Sequence, residues 1–177
     1  KYDHVGESVI YGDTDSVYFS AFKTLKKEIE GGQIPWTKES IIGLYDRIAE
    51  EVNTTFSGFM HKAFHCPTTR GSVIKAGREL VASKGLFITK KRYAALYYDV
   101  EGERVDIAGK PGKMKAMGLD LKRSDTPVFV QDFLSEVLMM VLQGKTETDV
   151  LEKISAFREE FKSRPGWEKG SPKRANN

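Results

Sequence analysis

Apolar and polar positions follow two rhythms along this chain, and the switches between them predict its elements. Val9 to Tyr11 and Val17 to Phe19 are short runs rich in β-branched and aromatic residues, separated by Gly12, Asp13, Thr14 and Asp15. Glycine and aspartate accommodate tight turns, so this segment reads as a β-hairpin with an acidic tip. Gly31, Gly32 and Pro35 mark a loop. From residue 40 to residue 64 the period lengthens: Ile41, Tyr45, Ile48, Val52, Phe56, Phe59 and Ala63 recur at helical spacing. Cys66-Pro67 stops that helix, because proline disfavours helical backbone at the residue before it. Such a stripe is expected to pack as core against a sheet.

Residues 72–107 return to a strand rhythm. Val73-Ile74 and Leu80-Val81 are short candidates. Leu86 to Val100 reads as one long strand, Asp99-Val100-Glu101-Gly102 as a turn, Arg104 to Ala108 as a return strand, and Gly109 to Gly112 as a loop. Two helices follow, at about 127–143 and 147–163. The first has Thr126 as its expected N-cap, Pro127 at the first helical position, a stripe of Phe129, Phe133, Val137 and Val141, and Gly144 as its stop. The second opens on Thr146 with Asp149, which resembles a capping box, and carries Leu151, Ile154, Phe157 and Phe161 before Pro165-Gly166. The tail from Trp167 to Asn177 is polar, has no period, and is expected to be disordered unless something holds it. No internal repeat is visible. The order of elements predicts an α+β fold: an antiparallel sheet with a packed helix, residues 1–117, then a short helical portion, residues 118–177, with the boundary near Gly118–Thr126.

Composition narrows the class. A chain of 177 residues has room for one domain and a second small one. Cys66 is the single cysteine, which excludes an intramolecular disulfide and a cysteine-based zinc cluster. No apolar run approaches the length of a membrane span, and no leader-like segment is visible, a pattern that suits an intracellular protein. Lys+Arg 28 against Asp+Glu 25 gives a net charge of only +3, but the mean hides a gradient. Residues 1–62 carry −3, residues 63–83 carry +2, residues 84–123 carry +5 and residues 124–177 carry −1. The basic stretch contains Lys84, Lys90, Lys91, Arg92, Lys110, Lys113, Lys115, Lys122 and Arg123, interleaved with Phe87, Tyr93, Tyr97 and Tyr98. Lysine and arginine clustered beside aromatic rings suit a phosphate-backbone partner, although a charge cluster alone is more often a solvated face.

The acidic tip offers a different chemistry. Asp13 and Asp15 stand two residues apart, and in an extended hairpin such residues share a face. Two carboxylates on one face repel unless a cation or proton joins them. Hard oxygen pairs suit Mg²⁺, which completes its octahedron with water and substrate phosphates. Two such ions, roughly 3.5–4 Å apart, activate an attacking oxygen and stabilise a leaving one. A plain polar turn is the default for any D-x-D. A calcium loop counted from Asp13 would need oxygen ligands at Val17 and Thr24 and a glycine at Tyr18, so that reading fails.

The whole hexapeptide Tyr11-Gly12-Asp13-Thr14-Asp15-Ser16 resembles the third conserved motif of family B DNA polymerases. The resemblance implies that Asp15 is the main ligand to two catalytic Mg²⁺ ions, that Asp13 acts less directly, and that Tyr11, Gly12, Thr14 and Ser16 support the turn. Downstream, Thr89-Lys90-Lys91-Arg92-Tyr93 is similar to the family's KKRY motif, whose residues hold the primer near its 3′ end. Lys113 to Asp120 and then Ser124-Asp125-Thr126-Pro127 resemble the palm-to-thumb junction of the T-even-like phage branch. There Lys113, Lys115, Lys122 and Arg123 would follow the duplex phosphates. Arg78-Glu79 sits where that branch places an extra carboxylate facing the metals, which makes Glu79 a further candidate for the catalytic site. The matching segments run in order from residue 8 to about residue 165.

On this resemblance the sheet portion is the C-terminal part of a polymerase palm and the helical portion the beginning of a thumb. The implied partners are primer–template DNA, a deoxynucleoside triphosphate, an N-terminal polymerase portion, and a sliding clamp engaged through a C-terminus beyond this span. The implied location is the cytoplasm of a phage-infected bacterium. No D-x-x-S-L-Y-P-like string, the family's first metal-binding motif, occurs here, nor does the nucleotide-binding fingers helix, and the chain opens on Lys1. The expectation is therefore a piece of a larger enzyme that is inactive alone. Two alternatives stay open: the C-terminal subunit of a naturally split polymerase, and a non-catalytic duplex-DNA-binding module that needs the basic stretch but not the acidic turn. His61 and His65 stand at helical i, i+4 spacing, but Lys62 replaces the glutamate of a zinc-protease helix, so the two read as a helix-end polar pair. Trp36 and Trp167 read as isolated packing residues.

Overall fold

The computed structural model describes residues 8–107 and 109–170, with the backbone alone at Lys122. His4, Ala108 and residues 171–177 of the expected tail lie outside the described residues. The fold is α+β, and the chain divides into two compact units. The first runs up to Gly12 and takes in Val17–Val81 and Asp99–Arg104. The second takes in Asp13–Ser16, Ala82–Tyr98 and the residues from Val105 onward. The sheet strands thus run through both.

β1 (Val9–Asp13) and β2 (Ser16–Phe19) form the expected hairpin around Thr14-Asp15. A short helix α1 (Lys26–Glu30) follows, then the long α2 (Lys38–Phe64). Thr37 caps α2 reciprocally: its hydroxyl accepts the Ser40 N–H at 3.2 Å while the Ser40 hydroxyl accepts the Thr37 N–H at 3.0 Å. The helix stops at His65, which turns left-handed with φ of 52°. The stripe of α2 is half-buried at its start: the Tyr45 ring meets Phe19 edge-on at 5.3 Å, and its hydroxyl accepts the Ala21 N–H at 3.2 Å. Towards its end the expectation of core fails. Phe59 is 56% exposed, and its ring partner there is Phe64, itself exposed.

A one-turn helix α3 (Thr68–Gly71) and an irregular segment lead back towards the sheet. Val73-Ile74, expected as a strand, is not one, and both side chains are exposed. The chain is instead pinned to α2 just beyond, where the Asn53 side chain both donates to Ala76 O at 2.9 Å and accepts from Ala76 N at 2.7 Å. Such side-chain bonds replace the ladder that the segment lacks.

The larger sheet contains β3 (Leu80–Thr89), β4 (Arg92–Val100), β5 (Glu103–Arg104) and β6 (Lys113–Met117). The expected single strand from Leu86 to Val100 is therefore two, broken by a turn at Lys90-Lys91. β4 is the hub: it pairs with β3, and it pairs antiparallel with β5 (Asp99 opposite Arg104) and with β6 (Tyr93 opposite Met117, Leu96 opposite Met114). Central placement explains its near-continuous apolar run, since a strand covered on both faces has no polar side to alternate with. The return strand is only two residues long, shorter than expected, and β6 occupies a stretch whose pattern announced no strand.

The second unit is built on β4 and the helices after it. Ala94, Leu96 and Leu142 are its buried centre, with Met114, Ala116, Leu119, Leu138 and Met139 packed around them. Each fully buried leucine of this kind contributes about 2 kcal/mol. A 3₁₀ turn (Asp120–Lys122) leads into α4 (Val128–Gln143), which ends on Gly144 with φ of 79°, as the glycine predicts. Pro127, not Thr126, is the N-cap residue; the Thr126 hydroxyl donates to Asp120 O at 3.1 Å instead. Helix α5 (Glu147–Ser163) begins with the expected Thr146–Asp149 box. Phe129 and Phe133 of α4 meet Phe157 of α5. A last turn, α6 (Gly166–Lys169), gives the start of the expected polar tail a regular backbone.

Candidate functional site

The acidic turn is a tight hairpin tip. Thr14 has φ of 46°, rare for a β-branched residue, and the cost is on the order of 1 kcal/mol. Local bonds hold it: the Thr14 hydroxyl donates to Asp13 Oδ1 at 3.2 Å, and the Ser16 hydroxyl donates to the Asp13 carbonyl at 3.2 Å. Tyr11 and Tyr18 face each other along the hairpin with ring centroids 6.1 Å apart. Asp13 is half-buried and Asp15 exposed. Asp13 ends β1 and Asp15 lies in the turn, so strand alternation does not place the two on one face.

These donors are carboxylate oxygens, the hard ligands that Mg²⁺ takes one or two at a time while keeping waters and phosphates. Among the described residues no group of three or more His, Cys, Asp or Glu is placed to hold a metal. The fit is therefore to an ion completed by substrate oxygens, not to an all-protein cage. His61 bonds the Cys66 carbonyl through Nδ1 at 3.1 Å, which makes it part of the α2 stop.

Glu79 is exposed just before β3, and its carbonyl accepts the Glu101 N–H at 2.8 Å. Beside it sits a feature that sequence reasoning missed. The Arg78 guanidinium, 9% exposed, bonds Asp46 of α2 and Asp99 of β4. Asp99 is fully buried and also accepts the Gly102 N–H at 3.1 Å. Burial pushes the Arg78 pKa down, but the hydrogen bonds to Asp46 and Asp99 outweigh it and raise the value above the ordinary one. An ion pair between residues this far apart in sequence leaves no local signal.

The basic turn lies between β3 and β4. Lys90 and Lys91 are its exposed residues, and Lys91 has φ of 60°. Alternation from there puts Arg92 outward and Tyr93 inward. Tyr93 is only 4% exposed and stacks on Phe87 with centroids 5.5 Å apart, so it supports the hairpin from inside and does not face solvent with the lysines. Arg92 reaches across to Gly118, whose carbonyl accepts from its Nε at 3.1 Å.

On β6, Lys113 is exposed and Lys115 half-buried, opposite Tyr97 and Ala95. Lys122 has a described backbone only. Arg123 is already engaged: its Nε and Nη2 donate to the two Asp125 carboxylate oxygens at 2.9 and 2.7 Å, and Asp120 stands 3.7 Å away. Those bonds raise its pKa above the ordinary value. This fork-on-carboxylate pairing is the one an arginine would otherwise offer a phosphate, which weakens the expectation that Arg123 follows the duplex.

Residues 2–165 match the sequence signature of DNA polymerase family B. The chain is 32% identical over 143 residues to the DNA-directed DNA polymerase of Escherichia phage RB69, covering 76% of this chain and 15% of that protein. It is 28% identical over 161 residues to the DNA-directed DNA polymerase of Enterobacteria phage T4, covering 85% of this chain and 17% of that one. It is also 28% identical over 150 residues to DNA polymerase 037L of Invertebrate iridescent virus 6, covering 83% of this chain and 11% of that protein. The matched span is thus 11 to 17% of the length of these curated relatives.

Proposed function

Because this chain belongs to DNA polymerase family B, we propose that it supplies the metal-holding turn and the primer-gripping turn of a DNA-directed DNA polymerase. The observation that carries the reading is the presence, within one family match, of a two-carboxylate turn with Asp15 exposed at its tip and an exposed two-lysine turn backed by a buried strand. Residues 1–117 act as the C-terminal part of the palm and residues 118–177 as the beginning of the thumb.

Asp15 holds the catalytic cations and Asp13 supports it; Glu79 is a further catalytic candidate on the family resemblance alone. When bound there, two Mg²⁺ ions supply activation of the primer 3′-hydroxyl oxygen and charge stabilisation on the departing pyrophosphate. The protein's own residues set the geometry. Thr14 and Ser16 fix the Asp13 end of the turn, as their bonds to it indicate. Lys90 and Lys91 meet primer phosphates and minor-groove acceptors without reading sequence, which is the requirement for gripping every primer alike. Lys113, Lys115 and Lys122 lie along the duplex path. The 177 residues alone do not extend a primer, since they contain no second metal-binding motif of the family.

The test is Asp15→Asn in the complete polymerase that carries this span. Nucleotide addition is lost while primer–template binding persists. If nucleotide addition survives, the acidic turn holds no catalytic metal, and the non-catalytic duplex-binding reading takes its place.

A further inference from the structure

The basic turn is braced from outside its own hairpin. Gly118, the residue after β6, has φ of 65°, and a Cβ placed on it would lie 2.1 Å from the Lys91 carbonyl oxygen and 3.1 Å from Arg92 Cγ. No side chain fits there, and the left-handed backbone favours glycine independently. The Gly118 carbonyl in turn accepts the Arg92 Nε–H at 3.1 Å. The main chain at residue 118 therefore touches Lys91 and is tied to Arg92, so the two exposed lysines sit on a turn whose shape is set by a residue 27 positions beyond Lys91. Lys91 itself holds a left-handed φ of 60° without being glycine, a conformation that persists only where surroundings enforce it.

We propose that Gly118 and Arg92 are positioning residues for the primer grip: Arg92 acts through its Nε bond to Gly118, fixing the Lys90-Lys91 turn, and not chiefly as a phosphate contact. The proposal rests on the reading of this turn as a DNA grip.

Two substitutions separate position from charge. Arg92→Lys keeps the charge but puts a methylene where Nε stands. Arg92→Gln removes the charge but keeps a nitrogen donor the same number of bonds from Cα. Each variant of the full chain is titrated with a fluorescent primer–template across a salt series, with urea midpoints and far-UV circular dichroism as folding controls. Positioning predicts that Arg92→Lys weakens binding about tenfold and lowers the log–log salt slope by about 1, because Lys91 loses its phosphate. Arg92→Gln then stays within about threefold of the parent with the slope unchanged, as a group making no phosphate contact should. The reverse order, or equal losses, overturns the proposal. Gly118→Ala is expected to resemble Arg92→Lys in binding. Parental binding by a folded Gly118→Ala variant also overturns the proposal. If the unsubstituted chain shows no salt-dependent binding, the DNA-grip reading fails instead, and the two failures are distinguishable.

Discussion

The acidic and basic turns share a construction and differ in what backs them. Both are two-residue hairpin tips, and each places a non-glycine residue, Thr14 or Lys91, at positive φ. The acidic hairpin is a sheet of two strands with Val9, Ile10 and Val17 exposed, and two strands alone are marginal in water. Its order comes from bonds within the tip and from the packing of Phe19 on Tyr45 at its base. The basic hairpin belongs to a four-stranded sheet whose hub strand is buried, and Gly118 closes on its tip. The difference follows from the chemistry proposed for each. A carboxylate pair is drawn into place by the cation and phosphates it shares. Lysines that must meet a moving polyanion have long flexible stems, so the backbone under them has to be fixed in advance.

The comparison breaks first, and hardest, at Asp15. In the complete polymerase, Asp15→Asn should lower the rate of nucleotide addition by at least about 100-fold, since the loss falls on transition-state charge stabilisation. Its primer–template affinity should be equal to or slightly above the parent's, because one negative charge is gone. Single-turnover extension and equilibrium titration measure the two separately. A parallel fall in both would mean that the acidic turn helps grip DNA and that the two tips are not functionally distinct.

The next largest effect is on stability. Arg78→Met leaves Asp99 buried without its cation, and breaking a buried pair from one side costs about 3 kcal/mol or more. Urea unfolding should show that loss. Replacing both partners, Arg78→Met with Asp99→Leu, should recover much of it, because an apolar pair of similar volume avoids the uncompensated charge. A single variant that unfolds at the parental midpoint would show that the triad is not what ties α2 to the β4–β5 turn.

How much of this was legible depended on range in sequence. The acidic hairpin was legible because Gly12-Asp13-Thr14-Asp15 is a turn signal in itself, and the Thr146–Asp149 box because both partners lie within one helical turn. The Lys90-Lys91 turn was not, since it contains no glycine, asparagine or proline; contact with Gly118 imposes a shape that local propensity does not favour. The inward orientation of Tyr93 was hidden for the same reason, because the parity of a strand is unknown until its first residue is. β6 reads Lys-Met-Lys-Ala-Met, poor in β-formers, and is a strand because β4 offers it a partner. The Asp125 carboxylate that engages Arg123 is a partner that the pattern of basic residues did not announce. The motif residues were legible as chemistry, but their exposure and partners needed the fold.

A smaller effect tests the basic tip alone. Lys91→Ala should weaken primer–template binding several-fold and reduce the log–log salt slope by about 1, the signature of one phosphate contact removed. Asp15→Asn should leave the slope as it was. An unchanged slope for Lys91→Ala would move the phosphate contact to Lys90.

The smallest effect concerns α5, whose cap is in neither turn. Thr146→Ala should cost about 1 kcal/mol of stability, as loss of an N-cap hydroxyl does, and leave DNA affinity and its salt slope unchanged. The cap also gives a pH signature. Hydrogen bonds from the Thr146 hydroxyl and N–H hold the Asp149 carboxyl below its ordinary value of 3.8. A carboxylate whose pKa is depressed by folding stabilises the folded state fully above the unfolded value, and the contribution is lost as pH falls through the folded one. The parent should therefore lose stability as pH drops through and below 3.8, and Asp149→Asn should flatten that part of the curve. If Thr146→Ala changed the salt slope of DNA binding, the primer grip would extend into the helical portion, and the division of labour between two isolated tips would fall.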